Sequence, residues 1–193
     1  LGDVYKRQVL KKAAGLDIQM LLPLHGFVWR QDLGYILGKY DLWSRYEPEQ
    51  RGVVIAYASV YGGTENAANI LACRLREQGV QVEMFDTSVT PASYILAAAF
   101  RFSHVVLAAP PYNGGVFVTM ENLLHDLTAH GLKGRRAAYI ENGSWAPCAA
   151  KSMKAILDTM KNLEICDKVV TIKTTMKDAD IEHMKELAKE IVQ

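Results

Sequence analysis

The run Ser59-Val60-Tyr61-Gly62-Gly63-Thr64-Glu65-Asn66 places two hydroxyls and two adjacent glycines at the start of a helical pattern. Glycines allow successive backbone N–H groups to turn toward one point, and a helix N-terminus favours an anion by ~0.3–1 kcal/mol at the surface, more where partly buried. The loop has neither the Gly-Lys-Ser/Thr of a P-loop nor the Gly-x-Gly-x-x-Gly of a dinucleotide fingerprint. A cradle of hydroxyls and amides without a cation fits the phosphate of a mononucleotide. The competing reading is a tight strand-to-helix turn with an ordinary Thr cap.

Two further segments carry chemistry. In Ala109-Pro110-Pro111-Tyr112-Asn113-Gly114-Gly115 the prolines stiffen the chain, while the glycines leave the next peptides free to adopt unusual φ or to flip. Tyr112 sets an aromatic surface beside them. A flavin needs such a backbone, since its N5 accepts a hydrogen bond when oxidised and donates one when reduced. In Glu141-Asn142-Gly143-Ser144-Trp145-Ala146-Pro147 a Trp stands at a loop tip, where its apolar area is wasted unless it covers something. Stacked on an isoalloxazine ring it would contribute about 0.5–1.5 kcal/mol beyond burial. A rigid surface turn and a Trp lid over the domain's own core are the alternatives for these two loops.

The elements that must position these loops alternate along the chain. Short apolar runs at 52–58, 80–85, 104–109, 136–140 and 168–172 read as strands. Amphipathic stretches at 64–78, 91–100, 117–130, 149–161 and 178–192 read as helices. Thr90-Pro91 supplies an N-cap and first-turn proline, and Gly79 and Gly131 stop two of the helices. The alternation predicts an α/β, doubly wound five-stranded parallel sheet of order 2-1-3-4-5 with helices on both faces. Ligands of such sheets bind outside the carboxyl ends of the strands at the switch point. The three loops follow strands 1, 3 and 4.

The chain before Gly52 reads differently. A strand at 18–22, a turn at Pro23-Leu24-His25-Gly26 and a helix at 29–46 precede a polar linker, Glu47-Pro48-Glu49-Gln50, the expected domain boundary. No initiator Met stands at Leu1, and the first Met is Met20. The string Asp3-Val4-Tyr5-Lys6-Arg7-Gln8 resembles the translation of a transposon-end sequencing adapter. Residues 1–8 are therefore expected to be an assembly artefact of a gene cut upstream, the alternative being a natural helical or disordered start.

Composition narrows the function classes. A net charge of +1 argues against partners recruited by bulk electrostatics, so neither nucleic acid nor membrane is expected. Cys73, Cys148 and Cys166 stand far apart without a CxxC, reading as free thiols of a reducing cytoplasm. No apolar run approaches the ~20 residues of a membrane span.

With Tyr57-Ala58-Ser59-Val60-Tyr61-Gly62, Pro110-Pro111-Tyr112-Asn113 and Glu141 to Pro147, the stretch from Gly52 to Gln193 resembles the flavodoxin family, which implies a flavodoxin-like fold for the doubly wound sheet. From about Asp17 the chain resembles the C-terminal part of a flavodiiron protein, also called an A-type flavoprotein. The resemblance rests on Leu22-Pro23-Leu24-His25-Gly26-Phe27-Val28-Trp29-Arg30, Lys39-Tyr40-Asp41-Leu42-Trp43-Ser44, Tyr46-Glu47-Pro48, Tyr57-Ala58-Ser59-Val60-Tyr61-Gly62, Pro110-Pro111-Tyr112-Asn113 and Glu141 to Pro147. It implies that residues 9–49 are the remnant of a metallo-β-lactamase-like diiron domain plus linker, and that 50–193 form the FMN domain. Ser59, Val60, Tyr61, Gly62, Gly63 and Thr64 would hold the phosphate. Pro110, Pro111, Tyr112, Asn113, Gly114 and Gly115 would flank ribityl chain and ring, with Asn142, Gly143, Ser144 and Trp145 on the other side. Tyr61 stands where many flavodoxins have Thr, so a backbone donor is expected there.

The resemblance also assigns His25 as the last ligand of a diiron site. The other ligands it requires, a His-x-Glu-x-Asp-His cluster and further His and Asp, are absent from this sequence. One His cannot hold two irons, so a diiron centre is expected only in a full-length parent. The implied function is electron transfer through FMN from a rubredoxin-like donor or flavin reductase to that centre, within an oxygen or nitric-oxide reductase that forms a homodimer. Alone, the chain would act as a carrier, and no side chain is expected to serve as acid, base or nucleophile. The alternative is a free-standing FMN-dependent NAD(P)H:quinone reductase, although the His25 segment serves no purpose there. A receiver-like signalling domain shares the sheet order but needs aspartates where Ser59 and Pro110 stand.

Overall fold

The computed structural model describes residues 2–193, with side chains from Tyr5 onward. Two helices, α1 (Gly2–Ala13) and α2 (Leu33–Arg45), precede an alternating series: β1 (Gln50–Tyr57), α3 (Gly63–Arg76), β2 (Val82–Asp86), α4 (Ala92–Arg101) and β3 (Phe102–Ala109). A small hairpin, β4 (Pro111–Tyr112) and β5 (Gly115–Val116), leads into α5 (Val118–Ala129). The chain continues through β6 (Arg135–Asn142), α6 (Ala149–Leu157), β7 (Leu163–Ile165), β8 (Val170–Ile172) and α7 (Asp178–Val192).

The main sheet runs β2-β1-β3-β6, with β7 and β8 both paired to β6 and every pairing parallel. Alternation along each strand explains the two covered faces. Val54, Ala56, Val105, Leu107, Ala137 and Tyr139 pack toward α4, α5 and α6. Val53, Ile55, Val106, Ala108, Ala138 and Ile140 pack toward α3 and α7. The expected five-position order therefore stands, and the fold is flavodoxin-like.

Several features differ from the sequence reading, among them α6, which ends at Leu157 and not at residue 161. The fifth position is two short strands rather than one continuous strand at 168–172. β7 pairs with Arg135–Ala137 and β8 with Ile140–Asn142. Between them the Glu190 carboxylate of α7 accepts the N–H groups of Asp167 at 2.6 Å and Lys168 at 3.2 Å. A side chain thus replaces ladder partners where the strand is broken.

The expected strand at 18–22 shrinks to one antiparallel bridge, Leu21 to Trp29, because no further strand lies beside it. Trp29 is engaged in that bridge, and Asp32 turns the chain at φ 55, so α2 begins at Leu33 and not at residue 29. The 47–49 segment is tied down at both ends. Glu49 pairs with Lys39 and accepts from Trp43 Nε1 at 2.6 Å, while its own N–H donates to the Arg101 carbonyl at 2.9 Å.

Candidate functional site

β1, β3, β6 and β8 end at one edge of the sheet, and the loops that follow them enclose a cavity of about 330 Å³. It opens into a shallower groove of about 520 Å³, and Pro111, Gly143 and Ser144 line both. Both volumes fall in the range of small-molecule sites, roughly 300–1,000 Å³. Ser59, Val60, Tyr61, Gly63, Thr64, Pro110 and Asn142 line the cavity; Tyr112, Asn113, Gly114 and Trp145 line the groove. Two of the sequence candidates, Gly62 and Gly115, shape the walls without lining either space.

The inner end is built by the turn from β1 into α3. Gly62 takes φ 82, which an L side chain rarely adopts, and its carbonyl accepts the Asn66 N–H at 2.9 Å to close the first helical turn. Ser59 Oγ accepts the Glu65 N–H at 3.3 Å. Thr64 is only 2% exposed, and among the described residues its hydroxyl makes no hydrogen bond. No Lys or Arg lines the cavity. The helix-start N–H groups of Gly63 and Thr64 and the unpartnered Thr64 hydroxyl, on a residue that lines the cavity, are donors arranged for an anion that brings its own acceptors.

The outer groove is aromatic. Tyr112 is half exposed and meets Phe117 edge-on, with ring centroids 6.0 Å apart. Trp145 is 95% exposed, so its indole has no place in the protein's own core. Asn113 and Gly114 have φ 49 and 78, the signature of a type I′ turn between Tyr112 and Gly115. The flexible pair expected at Gly114-Gly115 is thus part of a fixed hairpin, and of the two glycines only Gly114 has positive φ. Asn-Gly between short strands was the signal for it.

The third loop is pinned at its base. The buried Glu141 carboxylate accepts the Ala150 N–H of α6 and the Thr171 hydroxyl, both at 2.8 Å. Gly143 N–H donates to the Ile172 carbonyl at 3.0 Å, and a side chain at Gly143 would press on Pro147. Asn142 uses its side-chain amide twice on the backbone of Thr174, at 2.9 Å each way. Thr174 and Thr175 line the cavity as well. Sequence reasoning missed them because it considered only the ends of strands 1, 3 and 4, although the same edge rule covers the strand before Lys173.

His25 lies in the N-terminal segment, exposed, on an apolar groove of about 620 Å³ formed with Leu22, Phe27, Trp29 and Trp43 among others. Among the described residues no three His, Cys, Asp or Glu side chains come together as a metal site. Nor is any described helix long and apolar enough to cross a membrane.

No family model matches the chain. In sequence it is similar to a nitric oxide reductase of Moorella thermoacetica, with 26% identity over 91% of this chain and 44% of the relative. It is likewise similar to a rubredoxin-oxygen oxidoreductase of Megalodesulfovibrio gigas, with 23% identity over 97% of this chain and 48% of that protein. The chain spans about half the length of the curated relatives it matches. Among solved structures, a flavodiiron protein of Giardia intestinalis superposes with a TM-score of 0.89 at 23% identity, over 98% of this chain and 48% of that one. A flavodoxin of Streptococcus pneumoniae gives 0.63 at 23% identity, over 74% of this chain and 98% of its own.

Proposed function

We propose that residues 50–193 form an FMN-binding electron-transfer domain, and that the chain is the C-terminal part of a flavodiiron oxygen or nitric-oxide reductase. The observation that carries this reading is one continuous space with a cation-free donor cradle at its inner end and two exposed aromatic side chains at its mouth. The unpartnered Thr64 hydroxyl, on a residue that lines the cavity, is the atom that a monophosphate would satisfy.

In this reading Ser59, Gly63 and Thr64 hold the phosphate through hydroxyls and helix-start amides. The Asn113-Gly114 hairpin offers its backbone to the ring edge, and Tyr112 and Trp145 cover its faces. FMN, when bound, supplies reversible electron storage. The chain binds it, shields it and orients it, which is the protein's share in flavin chemistry.

Residues 9–49 are, on the same reading, the end of a metallo-β-lactamase-like domain whose remaining parts hold two irons in a full-length parent. His25 is the ligand this chain would contribute. The side chains around it do not fit a diiron site on their own, and no step is derived through iron. The donor is a rubredoxin-like protein or a flavin reductase, as suggested by the relative named for rubredoxin and oxygen. A homodimer belongs to the full-length protein.

The test is anaerobic stopped-flow mixing of the FMN-loaded chain with reduced rubredoxin, followed at the flavin's visible band. Rapid bleaching, with negligible steady oxidation of NADPH by quinone, supports the carrier role. Steady NADPH:quinone turnover by the isolated chain would make it a free-standing reductase instead.

A further inference from the structure

The cavity has a wall that the ends of β1, β3 and β6 do not supply. Thr174 and Thr175, just past β8 and both exposed, line it together with Ser59, Gly63 and Thr64. Thr174 has φ 68, a left-handed conformation that a β-branched residue rarely enters. Asn142 holds it there: Oδ1 accepts the Thr174 N–H and Nδ2 donates to the Thr174 carbonyl, both at 2.9 Å. That carbonyl in turn sits on the first residue of α3. A β-carbon at Gly63 would overlap it and would come within 2.8 Å of Asn142 Nδ2.

The two threonine hydroxyls have different fates. Thr174 Oγ1 is turned back onto the Lys173 carbonyl at 2.6 Å. Among the described residues Thr175 Oγ1 has no hydrogen-bond partner, and its residue faces the cavity. A hydroxyl donates to a phosphate oxygen as readily as a helix-start amide does.

We propose that the 173–175 loop is a fourth phosphate-binding element, in which Thr175 selects for the phosphorylated flavin and Asn142 acts as a positioning residue through Thr174. The inference rests on the flavin-site reading above and gives Asn142 a different part in it. Its amide has one N–H and one lone pair committed to the Thr174 backbone, which is how it holds this wall in place.

The experiment is a fluorescence titration of the full chain with FMN and with riboflavin, which lacks the phosphate. It compares the wild type with Thr175→Val, Asn142→Ala and the double variant Asn142→Ala/Thr174→Gly. Thr175→Val keeps the shape and removes the hydroxyl. It is expected to weaken FMN about fivefold to tenfold and to leave riboflavin within about twofold. Asn142→Ala is expected to lower the FMN-to-riboflavin affinity ratio further. Adding Thr174→Gly restores part of that ratio, because glycine takes positive φ without help. A general loosening of the fold would lower both affinities together and would not be rescued. If the wild type binds neither flavin, the flavin-site reading fails and this inference with it. If the wild type binds FMN and Thr175→Val leaves the ratio unchanged, the fourth element alone is overturned.

Discussion

The guanidinium of Arg135 donates at 2.6 Å to the main-chain carbonyl of Tyr46, 89 residues earlier in the chain. It donates also to the carbonyls of Ala99 at 3.0 Å and Phe100 at 2.7 Å, and the residue is 2% exposed. One buried cation thereby ties the end of α2 to the first residue of β6 and the end of α4. Burial pushes its pKa down to about 10, which leaves it charged at neutral pH. Arg135→Met strands these carbonyls and is expected to cost about 2–4 kcal/mol in urea unfolding, with faster amide exchange in Leu33–Arg45. Arg135→Lys recovers little, because an ammonium cannot fork to carbonyls on separate elements. A loss under about 0.5 kcal/mol, the level of an ordinary surface change, would mean the clasp is incidental.

Gly63 is required for a steric reason that Gly38 does not share. A β-carbon at Gly63 would strike the Thr174 carbonyl, whereas one at Gly38, inside α2, meets nothing within 4 Å. Gly63→Ala must displace either the helix start or the 173–175 loop, so FMN affinity is expected to fall at least about tenfold. Gly38→Ala serves as the control. It is expected to leave binding unchanged and to raise stability by about 0.5–1 kcal/mol through helix propensity.

Trp145 separates binding from folding. At 95% exposure its indole contributes nothing to the core, so Trp145→Ala should leave the thermal midpoint unchanged. Stacking worth about 0.5–1.5 kcal/mol would be lost from the flavin complex, a weakening of roughly twofold to tenfold. A variant that melts early but binds normally would show instead that the Trp is structural.

His104 gives the fold a pH dependence. Half-buried in β3, its ring Nδ1 lies 2.7 Å from the Ser103 hydroxyl and 3.3 Å from the Gly52 carbonyl. Burial first, and then the charges of Arg51 and Arg136, hold its pKa below the ordinary 6.5. The unfolded chain therefore binds a proton that the folded chain resists. As pH falls through 6.5, stability declines until the folded-state pKa is passed. His104→Gln should flatten the denaturation midpoint between about pH 7 and pH 5. An unchanged slope would assign the dependence to other groups.

Much of this was legible in the residues. Val53–Ala56 and Val105–Ala109 are apolar on both faces, which only a doubly covered parallel sheet tolerates, and the edge rule then brings Ser59, Pro110 and Ser144 together. What escaped depends on partners far away in sequence. The split between Ile165 and Val170 follows from Glu190 of α7 reaching back to cap it. The left-handed Thr174 exists because Asn142 grips both of its backbone groups. Neither a side-chain cap across 23 residues nor a β-branched residue at positive φ leaves a trace in periodicity. The Asn113-Gly114 turn, by contrast, was written locally. Its glycines look loose only when taken without the short strands on either side.

The central claim is that the space at the carboxyl ends of β1, β3, β6 and β8 holds FMN. Titrating the full chain with FMN while following flavin fluorescence and the visible band tests it directly. Saturation at one flavin per chain, with quenched emission, a shifted band and a Kd of about 1 μM or tighter, is the predicted result. Unchanged fluorescence and spectrum up to about 100 μM FMN would contradict it, and the three loops would then be structural turns.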